Sequence, residues 1–191
     1  MFTVLDFETT GLNYNEEQVI EIAAKRLNDK LEVTEEFHTM VRLNEGKELS
    51  PFIMNLTGIT PADLKHGMIE TEAMELLKRF IGDSVVVAQF ASFDLSFLSK
   101  WLLPKQYICT RSLSRLINPT EKAGLADLVK RYDVKLDGHH RAMNDVDATI
   151  EVFKIMKSEA DEKGIEYMNT IIDSKERPLM YLPLYVNVVF M

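Results

Sequence analysis

The sequence predicts an α/β domain built on a mixed five-stranded sheet, with three antiparallel strands followed by parallel ones and helices on its faces. Two observations predict it. The first third holds three β-branched or alternating segments joined by short polar connections, and the rest alternates strand patterns with helical ones. Residues 2–7 are short and apolar, residues 18–27 carry Val19, Ile20 and Ile22, and residues 32–43 alternate through Phe37, Thr39, Val41 and Leu43. Gly11-Leu12-Asn13 and Asn28-Asp29-Lys30 join these segments as tight turns, which suits antiparallel neighbours. Ser50-Pro51 and Thr60-Pro61 read as starts of short helices, because Ser or Thr caps a first turn and proline fits the first helical position. Residues 71–80 space Met74, Leu77 and Phe80 as one helical face, ending at Gly82, where glycine can take the left-handed cap conformation. Residues 84–88 are nearly all valine, the pattern of a strand covered on both faces, and lead into a helix over 92–101. Strand then helix recurs from 106–110, with further helices expected over 125–132 and 142–162. The last of these carries Ala148, Val152, Ile155 and Met156 as its apolar stripe. Residues 166–173 are expected to form a short helix and 182–190 a strand-like apolar tail.

The chain has 191 residues, 46% hydrophobic and 27% charged, enough for one full-sized core. A net charge of −8 argues against holding nucleic acid or anionic lipid by bulk positive charge, so any such contact is local. One cysteine, Cys109, excludes an internal disulfide and a cysteine-only zinc site, and burial as a small apolar residue is its expected role. A reducing, cytoplasmic setting is therefore expected. The apolar stretch at 178–191 is shorter than the ~20 residues of a spanning helix and is broken by Pro183 and Asn187, so no membrane partner is expected. No N-terminal targeting pattern is visible.

Four acidic residues sit where a carboxylate is awkward for structure and useful to a metal ion: Asp6, Glu8, Asp94 and Asp145. Asp6 and Glu8 are two apart at the end of an apolar strand. Period two points both to one face, where like charges repel unless a cation lies between them. The structural alternative is a pair of solvated carboxylates. Asp94 follows the valine strand near a helix start, where an acidic residue also suits the helix dipole. His140 precedes Asp145 by five residues, placing an imidazole in a loop and a carboxylate about one turn into the long helix. A histidine there suits a general base, while His139-His140 also reads as a surface loop pair.

In chain order, Asp6-Phe7-Glu8-Thr9-Thr10-Gly11-Leu12, then Phe93-Asp94, then His140-Arg141-Ala142 with Asp145, resemble the three motifs of the DEDDh (DnaQ-like) 3'-to-5' exonucleases. The motifs are similar to those of the branch that holds the epsilon proofreading subunit and the PolC exonuclease domain. It spans about residues 2–156 and includes the turn Leu56-Thr57-Gly58-Ile59-Thr60. Any one motif is weak, whereas three in order are specific.

The resemblance implies a ribonuclease H-like fold over residues 1–163, followed by a C-terminal helix and apolar tail at 164–191 that packs on the domain or forms an interface. It implies two Mg2+ or Mn2+ ions held by Asp6, Glu8, Asp94 and Asp145, with His140 as base. Thr9 and Leu12 resemble contacts to the terminal nucleotide, Phe93 packs under the site, and Arg141 is the leading basic contact ahead of Lys100, Lys105 and Arg111. The expected activity is release of nucleoside 5'-monophosphates from a single-stranded DNA 3' end in proofreading, repair or replication. Alternatives are the same chemistry on RNA and a non-catalytic nucleic-acid-binding or assembly module. Expected partners are the strand itself, a polymerase or other replication or repair protein, and a second copy through the C-terminal tail. The sequence departs from the family pattern at Gln89-Phe90, where relatives usually carry His-Asn, and at Thr57, where many have His.

Overall fold

A computed structural model describes residues 1–136 and 138–191. Strands β1 (Phe2–Thr9), β2 (Val19–Leu27), β3 (Val33–Met40), β4 (Val85–Ala88) and β5 (Tyr107–Cys109) form one sheet in the order β3-β2-β1-β4-β5. β1 pairs antiparallel with β2 and parallel with β4, so it lies at the centre. β2 pairs antiparallel with β3, and β4 parallel with β5. This is the mixed sheet the sequence predicts.

The helices follow from caps and apolar spacing. Ser50 and Thr60 accept hydrogen bonds from the backbone of Ile53 and Asp63 and start α1 (Pro51–Thr57) and α2 (Pro61–Leu64), each with proline in the first turn. Gly58 closes α1 at φ 71°, a left-handed position that glycine takes without steric cost. α3 (Glu70–Ile81) buries Ala73, Met74, Leu77 and Ile81, and these pack with α4 (Ala91–Leu98) on one face of the sheet. α5 (Thr110–Ile117), α6 (Leu125–Arg131) and α7 (Ala142–Glu162) cover the other face through Leu113, Leu128, Val146, Val152 and Phe153.

Several boundaries differ from expectation. α4 ends at Leu98, not at Trp101. Gly82 has a positive φ of 55°, but its ψ of −129° is not left-handed helical. Residues 166–173, expected as a helix, form a turn and then strand β6 (Thr170–Asp173). The β-branched run Thr170-Ile171-Ile172 favours the strand, and its pairing with the last residues of the chain holds it there. β6 pairs in parallel with β7 (Asn187–Phe190), the only part of the expected 182–190 strand that is one.

The C-terminal segment packs on its own chain. Ile171 and Ile172 are fully buried, and Asn169 lies along the free edge of β5, its backbone N–H donating to Tyr107 O at 2.9 Å and its Oδ1 accepting from Tyr107 N at 2.8 Å. Ser92 Oγ donates to Tyr181 O at 2.9 Å and ties the later stretch to α4. The opposite edge strand, β3, is mostly exposed and carries Glu35 and Glu36, charges that discourage pairing with another chain. Among the described residues no helix is long and apolar enough to cross a membrane.

Candidate active site

β1 carries two acids to the end of the sheet. Its alternation sends Leu5 and Phe7 into the core beneath α3 and α4 and Val4 into the core beneath α7, so Asp6 and Glu8 share Val4's face. α7 brings Asp145 to the same place from its first turn, and α4 brings Asp94 from its own. Ligand-capable oxygens of Asp6, Glu8 and Asp145 all lie within 4.8 Å of one another. Asp94 lines the same cleft and is, of the neighbouring charges, the strongest influence on Asp6. Solvated surface acids would not be buried in this way: Glu8, Asp94 and Asp145 are all buried and Asp6 is half-buried.

The electrostatics follow from burial and crowding. Loss of water, then the charge of Asp94, then that of Glu8, hold the Asp6 carboxyl well above the usual carboxylate range. Burial, Asp145 and Glu21 push Glu8 up to about 8. Burial raises Asp94 to about 7, although the backbone N–H groups of Asp94 itself and Phe7 oppose the rise. Asp94 Oδ1 is buried with no hydrogen-bond partner. An orphaned carboxylate oxygen beside three other acids is a donor set that suits a hard divalent cation bound by oxygen alone, such as Mg2+ or Mn2+.

The loop before α7 folds back over Asp145. His140 adopts φ 65°, and its backbone N–H donates to Asp145 Oδ2 at 3.0 Å. His139, which the sequence offers only as half of a loop pair, places Nδ1 2.8 Å from Asp145 Oδ1 and stacks on His140 with ring centroids 3.9 Å apart. Burial and the adjacent His139 lower the His140 pKa below its ordinary 6.5, so its ring is neutral and able to accept a proton at pH 7.

A cleft of about 530 Å³ joins these groups, with Thr9, Leu12, Phe93 and both histidines in its wall. Thr9 Oγ1 donates to Gly11 O at 2.7 Å and shapes the turn that presents Leu12, which is 65% exposed. Phe93 packs on Phe97 at 5.2 Å between centroids. Gln89 bonds to the Thr110 hydroxyl and to Ala123 O, and Phe90 lines the cleft. Of the other basic candidates only Arg111 lines this cleft; Lys100 lies over the Phe97 ring and Lys105 borders a different hollow.

Arg141 points elsewhere. Its Nε and a terminal nitrogen donate to Glu21 at 3.2 and 3.1 Å, the backbone N–H of Ala142 donates to the same carboxylate at 3.2 Å, and His38 Nε2 lies 2.8 Å from it. Glu21, absent from the sequence reading, thus anchors the start of α7, and with it His140 and Asp145, to β2. Only its place among apolar residues in Val19-Ile20-Glu21-Ile22 hinted at burial.

Residues 3–153 match the family model of the RNase_T exonucleases. The chain is 35% identical over 175 residues to the PolC-type DNA polymerase III of Bacillus subtilis, covering 87% of this chain and 12% of that protein. To the Staphylococcus aureus PolC-type polymerase it is 36% identical over 179 residues, 89% of this chain and 12% of that one. The chain therefore spans about one eighth of the length of these relatives. Among solved structures it resembles E. coli Exonuclease I in complex with a dT13 oligonucleotide, with a TM-score of 0.76 at 18% identity over 85% of this chain and 42% of that one. It also resembles the nuclease domain of 3'hExo, a DEDDh family member bound to rAMP, with a TM-score of 0.71 at 18% identity over 87% and 94% of the two chains. On its sheet order and these matches, the chain belongs to the RNase_T family of exonucleases.

Proposed function

We propose that this domain is a 3'-to-5' exonuclease that hydrolyses phosphodiesters at the 3' end of single-stranded DNA and releases nucleoside 5'-monophosphates. The observation that carries the reading is the group of crowded acids, Asp6, Glu8, Asp94 and Asp145, beside a neutral His140 in one cleft. Two Mg2+ or Mn2+ ions bound by those acids would offset their charge and polarise the scissile phosphate. The chain's own residues do the rest. His140 takes a proton from the attacking water at its ring nitrogen, and Asp145 holds the histidine loop in place. The Thr9 turn presents Leu12 to the terminal base, with Phe93 beneath. Arg141 serves the substrate indirectly, through Glu21.

DNA is favoured because the polymerase relatives are DNA polymerases and the Exonuclease I structure holds an oligonucleotide of deoxythymidine. The rAMP in the 3'hExo structure supports RNA as the second reading. Residues 1–163 would form the catalytic unit and 164–191 a segment packed on it. A cytoplasmic replication or repair role, with a polymerase as partner, fits the relatives. The test is digestion of 5'-labelled DNA and RNA oligonucleotides of matched sequence with Mg2+, Mn2+ or chelator, beside Asp6→Ala. A ladder shortening from the 3' end, dependent on metal and lost in the variant, is expected. No cleavage of either strand by folded protein that binds Mn2+ would replace the reading with a non-catalytic binding module.

A further inference from the structure

The wall of the cleft holds a second charged feature that the catalytic reading leaves unused. Arg111, at the start of α5, is only 7% exposed, and among the described residues its guanidinium reaches no carboxylate; it donates to Ser174 Oγ at 3.2 Å. Its carbon Cζ lies 5.6 Å from the centre of the Phe90 ring. On the same ring, at 4.6 Å, lies Arg177 from the turn after β6, also without a carboxylate partner among the described residues. Both line the cleft with the acids. Two guanidiniums gathered on one aromatic ring repel; Asp94 feels Arg177 and Glu176 acts on Arg111, but among the described residues neither acid forms an ion pair with them, and burying Arg111 in this way costs stability. Burial depresses the Arg111 pKa; Cys109 and Glu176 oppose the fall, and the nearby Arg177 and Arg115 add to it. The arrangement is relieved by an anion placed between the two, and planar guanidinium groups suit phosphate oxygens.

We propose that Arg111 and Arg177, gathered on Phe90, form a phosphate-binding site in the wall of the cleft, so that the C-terminal segment contributes directly to holding the nucleic-acid substrate. Arg177 lies beyond residues 3–153, which match the family model. The inference rests on the proposed exonuclease reading. The phosphate is either one within the bound strand or that of the terminal nucleotide.

The test measures binding of fluorescent dT8 by anisotropy across a salt series, using Asp6→Ala protein so that the probe survives, with thymidine 5'-monophosphate as competitor. Arg177→Ala is the main variant because its side chain is exposed, and Arg177→Lys is its conservative partner. Arg177→Ala should weaken dT8 several-fold and flatten the slope of log affinity against log salt by about 0.7, the value for one single-strand phosphate contact. Arg177→Lys should restore the slope. If only dT8 weakens, the site holds a strand phosphate; if the monophosphate weakens equally, it holds the terminal one. Unchanged affinity and slope in Arg177→Ala would overturn the proposal while leaving the exonuclease reading intact. Failure of the parent to bind dT8, together with failure of unmutated protein to cleave it, would overturn both.

Discussion

Glu8 and Glu21 stand directly opposite each other on β1 and β2, both buried, and their surroundings treat them in opposite ways. Burial pushes Glu21 up, but donors from Arg141, His38 and the Ala142 backbone outweigh it and leave its pKa below the ordinary 4.5. No such donors reach Glu8 among the described residues, and although Arg141 opposes the rise, burial with its acidic neighbours carries it to about 8. One carboxylate is satisfied by the protein and holds elements together. The other finds too little in the protein to stabilise its charged form, which is the condition of a group meant for an external cation. The difference separates a structural acid from a ligand acid when residue type and burial do not.

The largest expected effect comes from removing one unbalanced acid. Asp6→Asn should lower the cleavage rate by about 10³-fold or more, equivalent to at least about 4 kcal/mol of barrier. In chelator its melting temperature should equal or exceed that of the parent, because a buried carboxyl that is costly to ionise among other acids is gone. Loss of folding would break the comparison.

Removing the satisfied acid should do the reverse. Glu21→Ala strands Arg141 and His38 and should cost about 3 kcal/mol in urea denaturation. Because the same contact fixes the His140 loop, activity should fall by about 10–100-fold, the usual cost of losing an outer-shell partner of a metal site. Glu21→Gln, which can still accept a hydrogen bond, should recover part of both. A purely structural role would leave the activity of refolded, fully metal-loaded Glu21→Gln equal to the parent.

The pH dependence sharpens the contrast further. Glu8 and Asp94 titrate near 8 and 7 in the folded chain against 4.5 and 3.8 otherwise. The folded state then binds more protons, so metal-free stability should fall as pH rises from about 5 to 8. Glu21 has the opposite sign: its contribution is full above 4.5 and lost only as pH falls through its lower folded value. His140, depressed below 6.5, opposes the Glu8 trend on the acidic side of that value. Thermal melts in chelator at several pH values check this, and Glu8→Gln or added Mn2+ should flatten the slope. The smallest effect is expected from His38→Ala, which removes one donor from Glu21 at a half-exposed position and should cost about 1 kcal/mol in the same urea titration.

The acids of the cleft were legible because local spacing carries them. Asp6 and Glu8 share a face by strand period, and His140 and Asp145 sit on either side of a helix start. The sheet was legible for the same reason, through valine runs and alternation. Glu21 was not, since its partners His38 and Arg141 lie 17 and 120 residues away and no local pattern announces them. His139 was indistinguishable from a surface residue until the loop closed on Asp145. The C-terminal strands were misread because short elements carry too few residues for period to decide, and pairing between β6 and β7 settled the outcome. Arg177 was lost with them.

The central claim is that the unbalanced acids exist to hold divalent cations. Calorimetric titration of the protein with Mn2+, beside Asp6→Asn, tests it most directly. The account predicts saturable binding by the parent that is largely lost in Asp6→Asn. Equal binding by both, or none by the folded parent at millimolar Mn2+, would contradict it.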